Sequence, residues 1–276
     1  MATATVLGLV VAGAGVVVVS DLVSGLRIAA DGRHCVVRAS GEVVLDSHQM
    51  ANAATIAAIG LRRAMPERAV VVALATAFQE SKLKNLEGGD RDSIGLFQQR
   101  PSMGWGSPQQ IRNPRYAARR FYQSLAKVDG WQRMRVTDAA QKVQRSAYPE
   151  AYQKWADEAE VLTRALTGRA TGAVACSVPT PATPADGATD QLTQGLLLDW
   201  GQLDTVPLNA DAFSVPVDDD LVGWRYAHWL VSHAAGQNVS RVAFAGQVWT
   251  AREGRWLRGE VVDGPAAVVA EVFPSQ

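Results

Sequence analysis

Residues 35–45 place two short, Val-rich apolar runs on either side of Ser40-Gly41, which predicts two short β strands in a hairpin. The pattern then changes. Met50, Ala53, Ala54, Ala57 and Leu61 share one face of a helix over about 47–64. Asp46 is its N-cap, Gln49 stands at the capping-box position, and Pro66 ends it. The next helix, about 67–81, is apolar on every side from Ala69 to Phe78, which predicts a buried central helix. Polar, Gly- and Pro-containing stretches at 84–94 and 101–108 read as loops. Helices follow from Asn113-Pro114 to about Leu125, over about 137–147, and, after Pro149, over about 150–167.

Composition shifts after that. Residues 177–190 mix three Pro with Thr, Ala, Gly and Asp and read as a linker. Residues 191–276 form a small α+β unit. A helix over about 220–235 carries Trp224, Ala227, Leu230, Val231 and Ala234 as its stripe. Strand-like runs cover 240–250 around Gly246, 255–258 and the end of 266–273. Five of the eight Trp fall in this unit; large aromatics in a small unit are expected in its core, the alternative being an exposed glycan-binding platform.

The most informative polar stretch is Phe78 to Arg100. Glu80-Ser81 closes the apolar helix, a Gly-rich loop follows, and Ser93-Ile-Gly95-Leu96-Phe97-Gln98-Gln99 opens what comes next. A carboxyl group at the seam between a buried helix and a polar cleft has a raised pKa, because an apolar wall and the negative end of a helix both disfavour its charge. Such a group serves as a general acid towards a glycosidic oxygen. The Glu-Ser, loop, Ser-x-Gly-Leu-Met/Phe-Gln arrangement resembles the signature of lytic transglycosylases and goose-type lysozymes, over roughly residues 45–168. The resemblance implies a mainly α, lysozyme-like domain over 35–176, preceded by the β hairpin and followed by the small α+β C-terminal domain. It implies cleavage of peptidoglycan glycan strands between MurNAc and GlcNAc, with Glu80 as catalytic acid.

In that family Gly, Leu and Gln of the motif fall on Gly95, Leu96 and Gln98, with Phe97 in place of the usual Met. Gly89-Asp90-Arg91 is similar to a Gly-Asp-Arg stretch of goose-type lysozymes, which makes Asp90 the candidate second carboxylate; Glu87 and Asp92 are the other loop acids. Ser93, Gln98, Gln99 and Trp105 are candidates to line the sugar cleft. The family's Tyr-Asn-Ala-Gly segment is replaced by Gln144-Arg-Ser-Ala-Tyr148-Pro149, so Gln144 and Tyr148 take its place while its Asn and Gly are absent. With one convincing carboxyl, the expectation is a transglycosylase in which the sugar's own 6-hydroxyl attacks, rather than a hydrolase. The alternative is a non-catalytic wall-binding or scaffold protein that keeps the groove.

Lys+Arg and Asp+Glu balance at 27 each, so no net field favours nucleic acid or an anionic membrane surface. The four His include no His-Glu-x-x-His pair, and no metal or other cofactor is expected. Residues 6–19 are apolar and suit a signal-peptide core or a membrane anchor within residues 1–30. Cys35 and Cys176 lie at the two ends of the lysozyme-like stretch. The expectation is a disulfide closing it in an oxidising compartment, the alternative being two buried thiols. Together these features predict a secreted or cell-envelope protein.

Overall fold

The computed structural model describes residues 34–181, 186–259 and 266–274. The apolar segment expected to direct export, 6–19, lies outside them. No helix among the described residues is long and apolar enough to cross a membrane.

The hairpin forms as β1 (His34–Arg38) and β2 (Glu42–Asp46), with Cys35, Val37, Val43 and Leu45 turned inward. A third strand, β3 (Val174–Cys176), joins the far side of β1 and sets Cys35 opposite Cys176, where the two are bonded as a disulfide. α1 (Ser47–Arg62) starts on the anticipated capping box: Asp46 Oδ1 accepts from Gln49 N at 2.8 Å and Gln49 Oε1 accepts from Asp46 N at 2.9 Å. α2 (Glu67–Ser81) is buried almost all round, from Ala69 to Phe78. Four-residue α3 (Pro108–Ile111), α4 (Pro114–Leu125), α5 (Val136–Gln144) and α6 (Ala156–Leu166) follow. α2 packs against α1, α4, α5 and α6, so its side chains have apolar neighbours on every face.

The remainder comprises α7 (Ala188–Trp200), β4 (Val206–Asn209), β5 (Ala212–Pro216), α8 (Asp220–Ser232), short α9 (Ala234–Gln237), β6 (Val239–Phe244), β7 (Gln247–Thr250), β8 (Trp256–Arg258) and β9 (Ala267–Val272). The strands make one antiparallel sheet in the order β4-β5-β9-β6-β7-β8. α8 lies between this sheet and the first helices, touching β6 and β9 on one side and α1, α6 and β3 on the other.

The expected mainly α, lysozyme-like domain is thereby corrected. The molecule is mixed α/β, with antiparallel sheets of three and six strands. One apolar core includes buried residues from Cys35 through to Val272. The strands form because outward polar groups find partners across long sequence distances. The outward carbonyls of β3, Val174 and Cys176, accept from the indole N–H groups of Trp256 (2.8 Å) and Trp249 (3.2 Å). Trp224, Trp229 and Trp249 are wholly buried, and Trp200 and Trp256 are half-buried against the core.

Two polar clamps hold α8 to the earlier helices. His228 Nε2 accepts from Ala173 N at 2.9 Å, which leaves Nδ1–H to donate to Ala165 O at 2.8 Å. Asp199, wholly buried, accepts from Arg115 Nε, from Trp229 Nε1 at 2.7 Å and from Thr55 Oγ1 at 2.9 Å.

Candidate active site

Glu80 is placed by the end of α2. The helix stops because Lys82 and Leu83 both take left-handed φ, at 56° and 59°, and turn their N–H groups back to Phe78 O and Ala77 O. α1 holds this turn from outside: Gln49 Nε2 donates to Lys82 O and Asn52 Nδ2 to Leu83 O, each at 2.8 Å. Ser81, the second half of Glu-Ser, is buried; its hydroxyl lies 2.7 Å from Leu96 O and 3.1 Å from Ala77 O. The pair thus joins the carboxyl-bearing helix end to the Gly-Leu-Phe-Gln segment.

Glu80 itself is half-buried. Its Oε1 accepts from Tyr152 OH at 2.7 Å and from Gln144 Nε2 at 3.0 Å; Gln144 Nε2 also donates to Phe97 O at 2.8 Å. Oε2 makes no hydrogen bond among the described residues and is not sealed from solvent. Removal from water pushes the Glu80 pKa above the ordinary carboxylate value, and the Tyr152 and Gln144 bonds pull it partly back. Burial and the neighbouring Glu80 charge hold the Tyr152 hydroxyl well above the ordinary tyrosine range, so it remains a donor. With both donors on Oε1, a bound proton sits on Oε2, the oxygen that faces outward.

Beside the acid, Trp155 stacks on Phe78 at 5.2 Å between ring centroids and donates from Nε1 to Gln79 Oε1 at 3.0 Å. Lys82 Nζ sits 3.6 Å above the same indole. Left-handed φ at non-glycine residues gathers here: of eight such positions described, Lys82, Leu83, Gln98 and Arg145 adjoin the residues that hold Glu80. Strain held in this way concentrates where surrounding structure over-determines a site.

The other anticipated residues are distributed as follows. Gln98 is half-buried and braces its own loop, accepting from Ser93 Oγ at 2.9 Å and donating to Gly95 O at 3.1 Å. A Cβ on Gly89 would lie 1.7 Å from Gln98 Oε1 and 2.6 Å from Ser93 Oγ, so a larger residue there would displace the Gln98 side chain from its bond to Ser93. Ser93 is buried. Gln99, anticipated as a sugar contact, is buried instead and donates from Nε2 to Ala117 O at 3.1 Å, tying the loop to α4. Trp105 is half-buried, its carbonyl accepting from Tyr116 OH at 3.1 Å. Asp90 projects into water with its side chain 92 % exposed and, among the described residues, only Arg91, 4.0 Å away, as an ionic partner. Asp92 accepts from the Ser102 N–H, from Arg100 Nε and from the Ser102 hydroxyl, which together keep its pKa far below the ordinary range.

Tyr148 does not reach Glu80. It is 75 % exposed, and Tyr152, four residues on, supplies the hydroxyl. The reason is local. The chain turns at Tyr148–Ala151, where Ala151 N bonds Tyr148 O, whereas Tyr152 opens a 3-10 turn continuous with α6. Tyr152 lies in register with Trp155, Ala156 and Ala159 on the inward face, a spacing readable in the sequence. Trp155 carried no comparable polar signal.

No protein-family model and no curated protein matches the chain.

Proposed function

We propose that this protein cleaves peptidoglycan glycan strands between MurNAc and GlcNAc, with Glu80 as general acid. The observation that supports the reading is the state of Glu80: desolvated, held through Oε1 by two donors, with Oε2 open. Oε2–H protonates the leaving glycosidic oxygen, and the carbon–oxygen bond breaks through an oxocarbenium-like centre. Glu80, now a carboxylate, takes the proton of the same sugar's 6-hydroxyl as that oxygen closes on the anomeric carbon. The acid is thereby restored and the product is a 1,6-anhydro sugar. Tyr152 and Gln144 hold the carboxylate between the two proton transfers.

A single carboxyl suffices for this route. The loop acids favour it over hydrolysis, because Asp92 is engaged by Arg100 and Ser102 and Asp90 stands in water. The motif's likeness to lytic transglycosylases and goose-type lysozymes supports glycan cleavage and is shared by both routes. A disulfide is consistent with an oxidising, extracellular setting, and the proposal places the enzyme at the cell envelope. The test is the release of soluble fragments from purified, insoluble peptidoglycan. Release by the native chain and none by a folded Glu80→Gln variant is the expected outcome. Wall bound without release by either would replace the enzyme with a wall-binding protein.

A further inference from the structure

The neutral total conceals a separation of charge. Residues 82–145, which supply the loops and helices around Glu80, contain thirteen Lys and Arg against five Asp and Glu; residues 186–276 contain five against twelve. Several of the cations near the site are already paired: Arg91 with Asp90, Arg100 with Asp92, Arg115 with Asp199, Arg135 with Asp138 and Glu150. Lys84, Arg112, Arg119, Arg120, Lys142 and Arg145 make no ion pair among the described residues.

Two of them adjoin, in sequence, a residue hydrogen-bonded to Glu80, and others adjoin the Gly-rich and Trp105 loops. Asn85 Nδ2 donates to Arg112 O at 2.7 Å, which sets Arg112 against the Gly-rich loop. Arg120 Nη2 donates to Gly104 O at 3.0 Å, beside Trp105. The Arg119 guanidinium lies 5.2 Å from the ring of Tyr116, the residue that holds the Trp105 carbonyl. Lys142 and Arg145 flank Gln144, the donor to Glu80. Arg112, Arg119, Lys142 and Arg145 are exposed. A surface of one sign beside a cleft raises the local concentration of the opposite charge, and guanidinium forks match carboxylates.

We propose that these cations select a glycan strand bearing free carboxylates, as on unamidated peptide stems, and dock it across Glu80. This rests on the glycan-cleavage reading for the identity of the strand. Its test reads binding alone, so the two fail separately. The full chain carrying Glu80→Gln is sedimented with insoluble peptidoglycan stripped of phosphate polymers, at about 20 mM and about 300 mM NaCl, a range over which screening of exposed charges becomes strong. The same is done with peptidoglycan whose carboxylates have been amidated. Affinity is expected to fall about tenfold with salt and by a similar factor on amidation. Arg112→Gln/Arg119→Gln is expected to weaken low-salt binding about threefold to tenfold and to flatten the salt dependence. In the cleaving protein the same pair raises KM and leaves kcat unchanged. Binding indifferent to salt and amidation would overturn the proposal. So would binding that returns only when phosphate polymer is left on the wall.

Discussion

Asp199→Ala tests the clamp between α7, α8 and the earlier helices. Asp199 is wholly buried and accepts from Arg115, Trp229 and Thr55. Truncation leaves three donors with different escapes. The Trp229 indole is 1 % exposed, so its N–H finds no water. Thr55 Oγ1 can turn to His233 Nε2, already 3.3 Å away. Arg115, with 31 % of its side chain exposed, recovers part of its solvation. Breaking a fully buried charge pair costs about 3–5 kcal/mol, and one stranded buried donor about 1–3. With about a third of the Arg115 side chain in water the expected loss is at the lower end, about 3 kcal/mol. Urea unfolding followed by tryptophan fluorescence measures it, with exposed Asp204→Ala as the control. A loss below about 1 kcal/mol, indistinguishable from the control, would refute the claim that Asp199 joins the two parts.

Three further outcomes are expected. His228 is buried neutral, its pKa pushed down to about 4 by desolvation from an ordinary 6.5, with the Ala165 carbonyl opposing the shift. The unfolded chain therefore binds the extra proton first: stability is full above about pH 6.5 and falls by roughly 3 kcal/mol as the pH drops towards 4. Urea midpoints across that window should lose this slope in a folded His228→Gln variant. Removing the Cys35–Cys176 bridge, which closes a separation of 141 residues, should destabilise by about 5 kcal/mol on the loop-entropy model. A thermal melt of Cys35→Ser/Cys176→Ser unchanged from the oxidised protein would contradict that. Tyr152→Phe removes a donor from the Glu80 carboxylate and raises its pKa further. The alkaline limb of the pH–rate profile should therefore move to higher pH, while Tyr148→Phe leaves the profile where it was.

The elements that announce themselves locally were legible. The Asp46/Gln49 capping box starts α1, and the uninterrupted apolar run of α2 makes it the buried axis that delivers Glu80 to the surface of the core. What could not be read was non-local. β3 is three residues long and owes its existence to β1, more than 130 positions away in sequence, and to two tryptophan indoles. β4 is exposed at every position and contains Pro207, so its pairing with β5 left no alternation to detect. These strands are why a mainly α expectation gave way to a mixed α/β molecule. Within the candidate site, the motif picked out a carboxyl that is half-buried under two donors, and burial separated the residues expected around it. Gln99 is turned into the core, Asp90 into water, and Tyr152 rather than Tyr148 lies on the inward face.

The most direct test is mass spectrometry of the fragments that the full chain releases from purified peptidoglycan, run beside Glu80→Gln. A one-carboxyl cleavage by Glu80 predicts 1,6-anhydro ends that disappear in the variant. Reducing ends would contradict the transglycosylase route and demand a water-activating partner. Fragments of either kind persisting in a folded Glu80→Gln protein would contradict the account at its centre.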